Sequence, residues 1–203
     1  MTNLLIQAEQ ITLPINLSSL LTLTEISDEQ FYAFCRTNPE LRIERNANRE
    51  VIVMPPAFSD TGNRNFRIAG QLFVWSEADG TGEAFDSSSG FTLPNGATRS
   101  PDAAWITAER WSALTSEQQE SFAPIAPDFV VELRSSSDRL AGLKDKLAEY
   151  MENGVRLGLL IDRKNRLVYA YRPNCLPEVL ENPEVVSCEP ELPGFSLRMA
   201  KIW

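Results

Sequence analysis

Apolar and polar positions change their spacing several times along the chain, and each change marks an element. Ser27-Asp28-Glu29-Gln30 ahead of FYAFC reads as a capping box opening a short helix, because the serine oxygen can accept the free N–H three residues on. Residues 41–54 alternate as two short strands around Asn46-Ala47-Asn48-Arg49, and Pro55-Pro56 stops the second, which predicts a hairpin. Phe66, Ala69, Leu72, Phe73 and Val74 then recur at helical spacing within residues 61–78, so a flank of that helix is expected to pack on a sheet. Beyond Gly80-Thr81-Gly82, strands are expected at residues 83–86, 90–93, 103–106 and 129–133. The polar stretch 108–127 reads as an excursion over one sheet end, with a short helix at 116–120. Ser137 or Asp138 can cap a helix running through Asn153, with Gly154 just past its end, and strands at 157–161 and 167–171 follow.

These elements fit one domain spanning residues 1–203. Residues 1–56 form an N-terminal helix and β-hairpin extension, and residues 57–203 the core. No segment approaches the roughly 18 to 20 apolar residues that span a bilayer, so no membrane partner is expected. The opening MTNLLIQAEQ has no basic start and carries Glu9 early, which argues against a secretory leader and makes the cytoplasm the expected location.

Composition narrows the chemistry. The sequence contains no histidine, which removes the usual general base at neutral pH and the commonest zinc ligand. Cys35, Cys175 and Cys188 stand at wide spacings without a CxxC pair and read as reduced, structural residues. Any reaction must therefore use carboxylates, lysine, hydroxyls or an oxygen-loving metal. The net charge of −9 opposes a nucleic-acid partner on its face, yet it is concentrated in residues 1–35 and 174–191, which carry nine acids and no base. Between Arg134 and Arg172 nine basic residues stand against five acidic ones, a local excess that could face a polyanion.

Two acids stand out. Glu132 sits inside the apolar run FVVEL, where an ionised carboxylate is costly unless paired, metal-bound or at the strand's wet end. Asp102 precedes AAWI behind Pro101 in the same manner. Acids at corresponding ends of neighbouring strands could share a hard cation such as Mg²⁺ or Mn²⁺. Asp128 could not join them, because four residues along one strand place it about 13 Å from Glu132. Two residues after Glu132 stands Arg134, so a lysine must come from the following helix. That helix offers Lys144 and Lys146, which flank its apolar face on opposite sides, and periodicity does not choose between them. Structural roles exist for each residue too: Asp102 as a turn acid, Glu132 in a buried ion pair with Lys146 or Arg134, Lys146 as a solvated helix lysine. Trp75, Trp105 and Trp111 could stack on bases or simply pack.

The order RSPDAAWI, PDFVVELRSSSD and KLAEYMENGVRLGLLID, with GFTLPNGATRSPD and the closing LPGFSLRMAKIW, resembles a bacterial restriction endonuclease family of the PD-(D/E)XK nuclease superfamily. The likeness runs from about Leu23 to the C-terminus. It implies an α/β (α+β) fold with a restriction endonuclease-like core, a central mixed four-stranded sheet flanked by helices, and metal-dependent hydrolysis of phosphodiester bonds, with DNA as the expected substrate. In such proteins the lysine lies on the helix in a K-x-x-x-Y context, which maps to Lys146 and Tyr150. An early hairpin glutamate aligns with Glu44 in RIERN. The resemblance thus implies Asp102, Glu132, Lys146 and Glu44 as catalytic residues, Asp102 and Glu132 as ligands of Mg²⁺ or Mn²⁺, and a homodimer that cuts both strands. The sequence ELR departs from the E-x-K of the superfamily. A catalytically silent nuclease-fold module that binds nucleic acid or a protein is the alternative.

Overall fold

A computed structural model gives the conformation of residues 3–8, 11–16 and 26–203. Glu9, the early acid of the opening segment, and Leu23, where the family resemblance begins, lie outside the described residues. The chain starts with strands β1 (Asn3–Ala8) and β2 (Ile11–Asn16), helix α1 (Asp28–Thr37), and strands β3 (Arg42–Arg45) and β4 (Val51–Met54). Helix α2 (Ser59–Asp79) leads to β5 (Gly82–Asp86), the two-residue strands β6 (Phe91–Thr92) and β7 (Thr98–Arg99), and β8 (Ala103–Thr107). Two short helices, α3 (Ala108–Ser112) and α4 (Ser116–Gln119), precede β9 (Phe129–Leu133), α5 (Leu140–Glu152), β10 (Leu157–Asp162) and β11 (Leu167–Tyr171). Strands β12 (Glu178–Glu181), β13 (Val185–Ser187) and β14 (Ser196–Arg198) follow. No helix among the described residues is long and apolar enough to cross a membrane.

The chain divides into two compact units, residues 1–56 with 95–99 and residues 57–94 with 100–203. In the smaller unit β1 and β2 pair antiparallel, as do β3 and β4, and Arg45 of β3 pairs with Thr98 of β7. The Ser27 capping box forms as expected: its Oγ accepts the Gln30 N–H at 3.2 Å while Gln30 Oε1 accepts the Ser27 N–H at 2.9 Å.

The larger unit is built on a mixed sheet in the order β12-β11-β10-β9-β8-β5. Its strands β5, β8, β9 and β10 supply the four expected, and the β11–β12 hairpin extends them to six. Only β9 and β10 run parallel, because helix α5 returns the chain across the sheet between them; the other neighbours are antiparallel. One face of this sheet forms the main core. Phe129, Val131 and Leu133 of β9 and Leu159 and Ile161 of β10 pack there with Ile68 and Leu72 of α2 and with Leu197, Met199 and Ile202 near the C-terminus. Val130 and Gly158 face the other way, toward α5. A Cβ added at Gly158 would lie 2.6 Å from Leu147 Cδ1, so glycine at this position lets the helix rest close to the strand.

Two expectations are corrected. Helix α2 exists as expected, but its inward stripe is Thr61, Asn65, Ile68, Leu72 and Ser76, whereas Phe66, Phe73 and Val74 point outward. Three polar residues on the buried side disguise the stripe. Helix α5 begins later than expected, with Arg139 as its N-cap and no side-chain cap, because Asp138 spends its carboxylate on the Ser135 N–H at 2.7 Å. Gly154 closes the helix in a left-handed conformation, φ 97°, which glycine adopts without strain.

The cysteines differ in setting. Cys188 is buried and Cys35 partly so, and burial pushes their thiols from 9.0 up to about 12 and about 11; Cys175 is exposed. Raised thiol pKa values mean that the neutral form is favoured by folding, so this contribution to stability is complete below pH 9 and is lost as pH rises from 9 toward 12. We expect a thiol reagent to label Cys175 at once and Cys188 only on unfolding, and the denaturant midpoint to fall between pH 9 and 11. A midpoint flat over that range, or rapid native labelling of Cys188, contradicts the burial.

Candidate active site

Strand alternation decides where Glu132 points. Its neighbours Val131 and Leu133 enter the main core, so Glu132 turns to the opposite face, where α5 crosses. Lys146 and Tyr150 stand four residues apart on that helix and therefore share a side. Both reach the same oxygen: Lys146 Nζ lies 2.7 Å from Glu132 Oε1, and the Tyr150 hydroxyl donates to it at 3.1 Å. Glu132 is only 5% exposed, so these two donors compensate a carboxylate that the strand would otherwise hold at high cost.

Asp102 grips the same stretch of β9. Its N–H donates to the Val131 carbonyl at 2.9 Å and its Oδ2 accepts the Leu133 N–H at 2.8 Å, so the residue bonds to the backbone on both sides of Glu132. Its Oδ1 accepts from Asn65 Nδ2 at 2.6 Å. Asn65 comes from the inward stripe of α2 and is 7% exposed; its Oδ1 is buried without a hydrogen-bond partner. A buried amide oxygen without a donor is costly in a dry site and is the kind of atom a cation or water satisfies.

The other candidates are placed elsewhere. Lys144 Nζ sits 4.2 Å above the Tyr169 ring. Arg134, at the position where E-x-K would have lysine, bonds both oxygens of fully buried Asp162 at 3.0 Å, an arrangement suited to guanidinium geometry. Asp128, at the far end of β9, accepts the Thr107 N–H at 3.0 Å and pairs with Arg110 at 2.9 Å. Glu44 belongs to the smaller unit, where it is buried and paired with Arg99 at 3.1 Å. The structure thus sets Lys146 and Tyr150 on Glu132, sets Asn65 on Asp102, ties Asp102 to the β9 backbone on either side of Glu132, and assigns Glu44 to the other unit. Sequence reasoning missed Asn65. The signal was a polar residue on the inward stripe of α2, hidden by the outward Phe66, Phe73 and Val74.

Among the described residues no three His, Cys, Asp or Glu side chains cluster to hold a metal. The protein donors at hand are the two carboxylates and the Asn65 oxygen. An all-oxygen set of this size fits Mg²⁺ or Mn²⁺, hard ions that keep several waters, and suits neither a zinc site nor a calcium cage.

The model of the Uma2 family, described as "Putative restriction endonuclease", matches residues 28–200. Among solved structures the chain is similar to "a putative nuclease belonging to DUF820 from Anabaena variabilis", with a TM-score of 0.67 over 80% of this chain and 90% of that one, at 20% identity. At that identity the likeness shows a shared fold. No curated protein sequence matches the chain.

The Glu132–Lys146 contact makes a stability prediction independent of catalysis. Lys146→Met should lower unfolding free energy by about 3 kcal/mol, because it removes the cation paired with a buried carboxylate, and Lys146→Met with Glu132→Gln should recover most of that loss. Denaturant titration of the two variants measures both. A Lys146→Met protein as stable as wild type would show that Lys146 does not carry the compensation.

Proposed function

The chain belongs to the Uma2 family, and from that membership we propose that it is a metal-dependent endonuclease that hydrolyses phosphodiester bonds of DNA. The observation that carries this reading is the conjunction at β9: one carboxylate on the strand with a lysine and a tyrosine on it, and a second carboxylate bonded to the strand's backbone with an unsatisfied amide oxygen beside it. Simple structural ion pairing accounts for the lysine but leaves the Asn65 oxygen unexplained.

In this reading Asp102, Glu132 and Asn65 hold Mg²⁺ or Mn²⁺, which when bound supplies Lewis-acid polarisation of a phosphate oxygen and a water of lowered pKa. The chain's own groups do the rest. Lys146 carries three donors, so it can keep Glu132 and also meet the negative charge that grows on the phosphoryl oxygens as the bond to the leaving group breaks. Tyr150 fixes the Glu132 rotamer through its hydroxyl, which holds the carboxylate in position while Lys146 turns to substrate. Leu133 N–H does the same for Asp102 from the strand backbone. No step in this scheme needs an imidazole.

Asp102→Asn tests the reading. The new amide can keep the Leu133 N–H on its oxygen and, once the Asn65 amide turns over, donate to Asn65 Oδ1, so the fold should survive with an unchanged melting transition. Cleavage of DNA in Mg²⁺ or Mn²⁺ should fall by a factor of at least about 10³, the scale of losing a charge-stabilising group at a reacting centre. Full activity in the folded variant would remove Asp102 from the reaction, and a folded wild type that binds DNA without ever cleaving it would support the silent-module alternative.

A further inference from the structure

Behind the inward stripe of α2 runs a second feature that the catalytic reading does not use. Between the helix and the C-terminal segment lies a groove of about 940 Å³. Gln71 ties its walls together, donating to the Arg198 carbonyl at 3.2 Å and accepting the Arg198 N–H at 2.9 Å. Trp75 closes the floor: its Nε1 donates to Pro193 O at 3.1 Å and its ring centroid lies 5.3 Å from that of Phe195. The groove is thus built in advance of any occupant, as binding surfaces of low ordering cost are.

Its lining is unusual for this chain. In a protein of net charge −9 the groove contains no aspartate or glutamate, and Arg67, Arg198 and Lys201 all line it. None of the three makes an ion pair among the described residues; Arg67 Nε donates to Asn63. Apolar surface stands beside them, with Phe66 76% exposed and Val74 68% exposed on the helix rim. The groove is also close to the candidate site in sequence: Asn65, which bonds Asp102, immediately precedes Phe66 and stands two residues before Arg67.

We propose that this groove holds a single-stranded stretch of nucleic acid leading away from Asp102 and Glu132, a claim that rests on the nuclease reading for its substrate. Cations in a lining that itself contains no acid select a polyanion, and exposed aromatic and aliphatic surface selects one with unpaired bases. A duplex presents phosphates outside and keeps its base faces stacked within, so it would leave Phe66 and Val74 against water and charge. A single strand can set phosphates on Arg67, Arg198 and Lys201 and lay a base on Phe66. Three neutralised phosphates give a salt dependence of log K on log[salt] with a slope of about −2 for a single strand.

The test is fluorescence anisotropy of end-labelled oligothymidylate, about 16 nucleotides long, with wild-type protein in EDTA, so that binding is read without cleavage. Phe66, Arg198 and Lys201 are exposed, so Phe66→Ala and the double variant Arg198→Glu/Lys201→Glu should fold, which circular dichroism checks. We expect salt-dependent binding with the stated slope, at least tenfold weaker in the double variant with a slope shallower than about −1. Phe66→Ala should weaken binding about tenfold with the slope unchanged, the mark of a stacking contact. A duplex of the same length should bind less tightly than the single strand. Equal affinity in wild type and both variants, preference for duplex, or no binding by folded wild type would overturn the proposal. So would a dimer in sedimentation that Phe66→Ala converts to monomer, because a second copy would then be the occupant. Cleavage assays read separately: single-strand binding through the groove by a protein that never cleaves defeats the nuclease reading alone.

Discussion

A carboxylate on a buried strand is the constraint from which the larger unit's arrangement follows. Glu132 lies inside FVVEL with 5% of its surface exposed, and an unpartnered charge at such a place costs several kcal/mol. Helix α5 must therefore cross where Lys146 and Tyr150 can reach it, and Gly158 leaves room for Leu147 to sit on β10 while they do so. The same crossing makes β9 and β10 parallel neighbours in a sheet otherwise antiparallel.

In the proposed reaction the contact that holds Glu132 in the fold also gives it chemistry. Lys146 pairs with the carboxylate, whereas Lys144 is held over Tyr169. Arg134 occupies the strand position where the related pattern has lysine, and its guanidinium instead binds Asp162 in the adjacent strand. In the proposed reaction the lysine's function moves to the helix, and the strand position serves the sheet.

Much of this was legible before any coordinates. The Ser27-Gln30 capping box, the Arg42–Met54 hairpin, the strand that follows Asp102 and the strand that carries Glu132 are written in short local patterns that tertiary packing did not alter. What failed were inferences about direction. Phe66, Phe73 and Val74 suggest a buried face of α2, yet the stripe that packs carries Thr61, Asn65 and Ser76, because polar groups are tolerated there by bonding partners such as Asp102 and the Gly82 carbonyl. Asn65 was hidden for that reason. Lys144 and Lys146 flank one helix face symmetrically, so only the position of β9 against α5 separates them. Strands β12, β13 and β14 were missed because each is only three or four residues long, too short for a period to show.

The central claim is that Asp102 and Glu132 share an oxygen-ligated divalent ion. Isothermal titration calorimetry of Mg²⁺ and Mn²⁺ into wild type and into folded Glu132→Ala addresses it most directly. Saturable binding near one ion per chain in the wild type, absent from the variant, is the predicted result. Binding of equal strength in both proteins, or none in the folded wild type even with a nucleic-acid strand present, would contradict it.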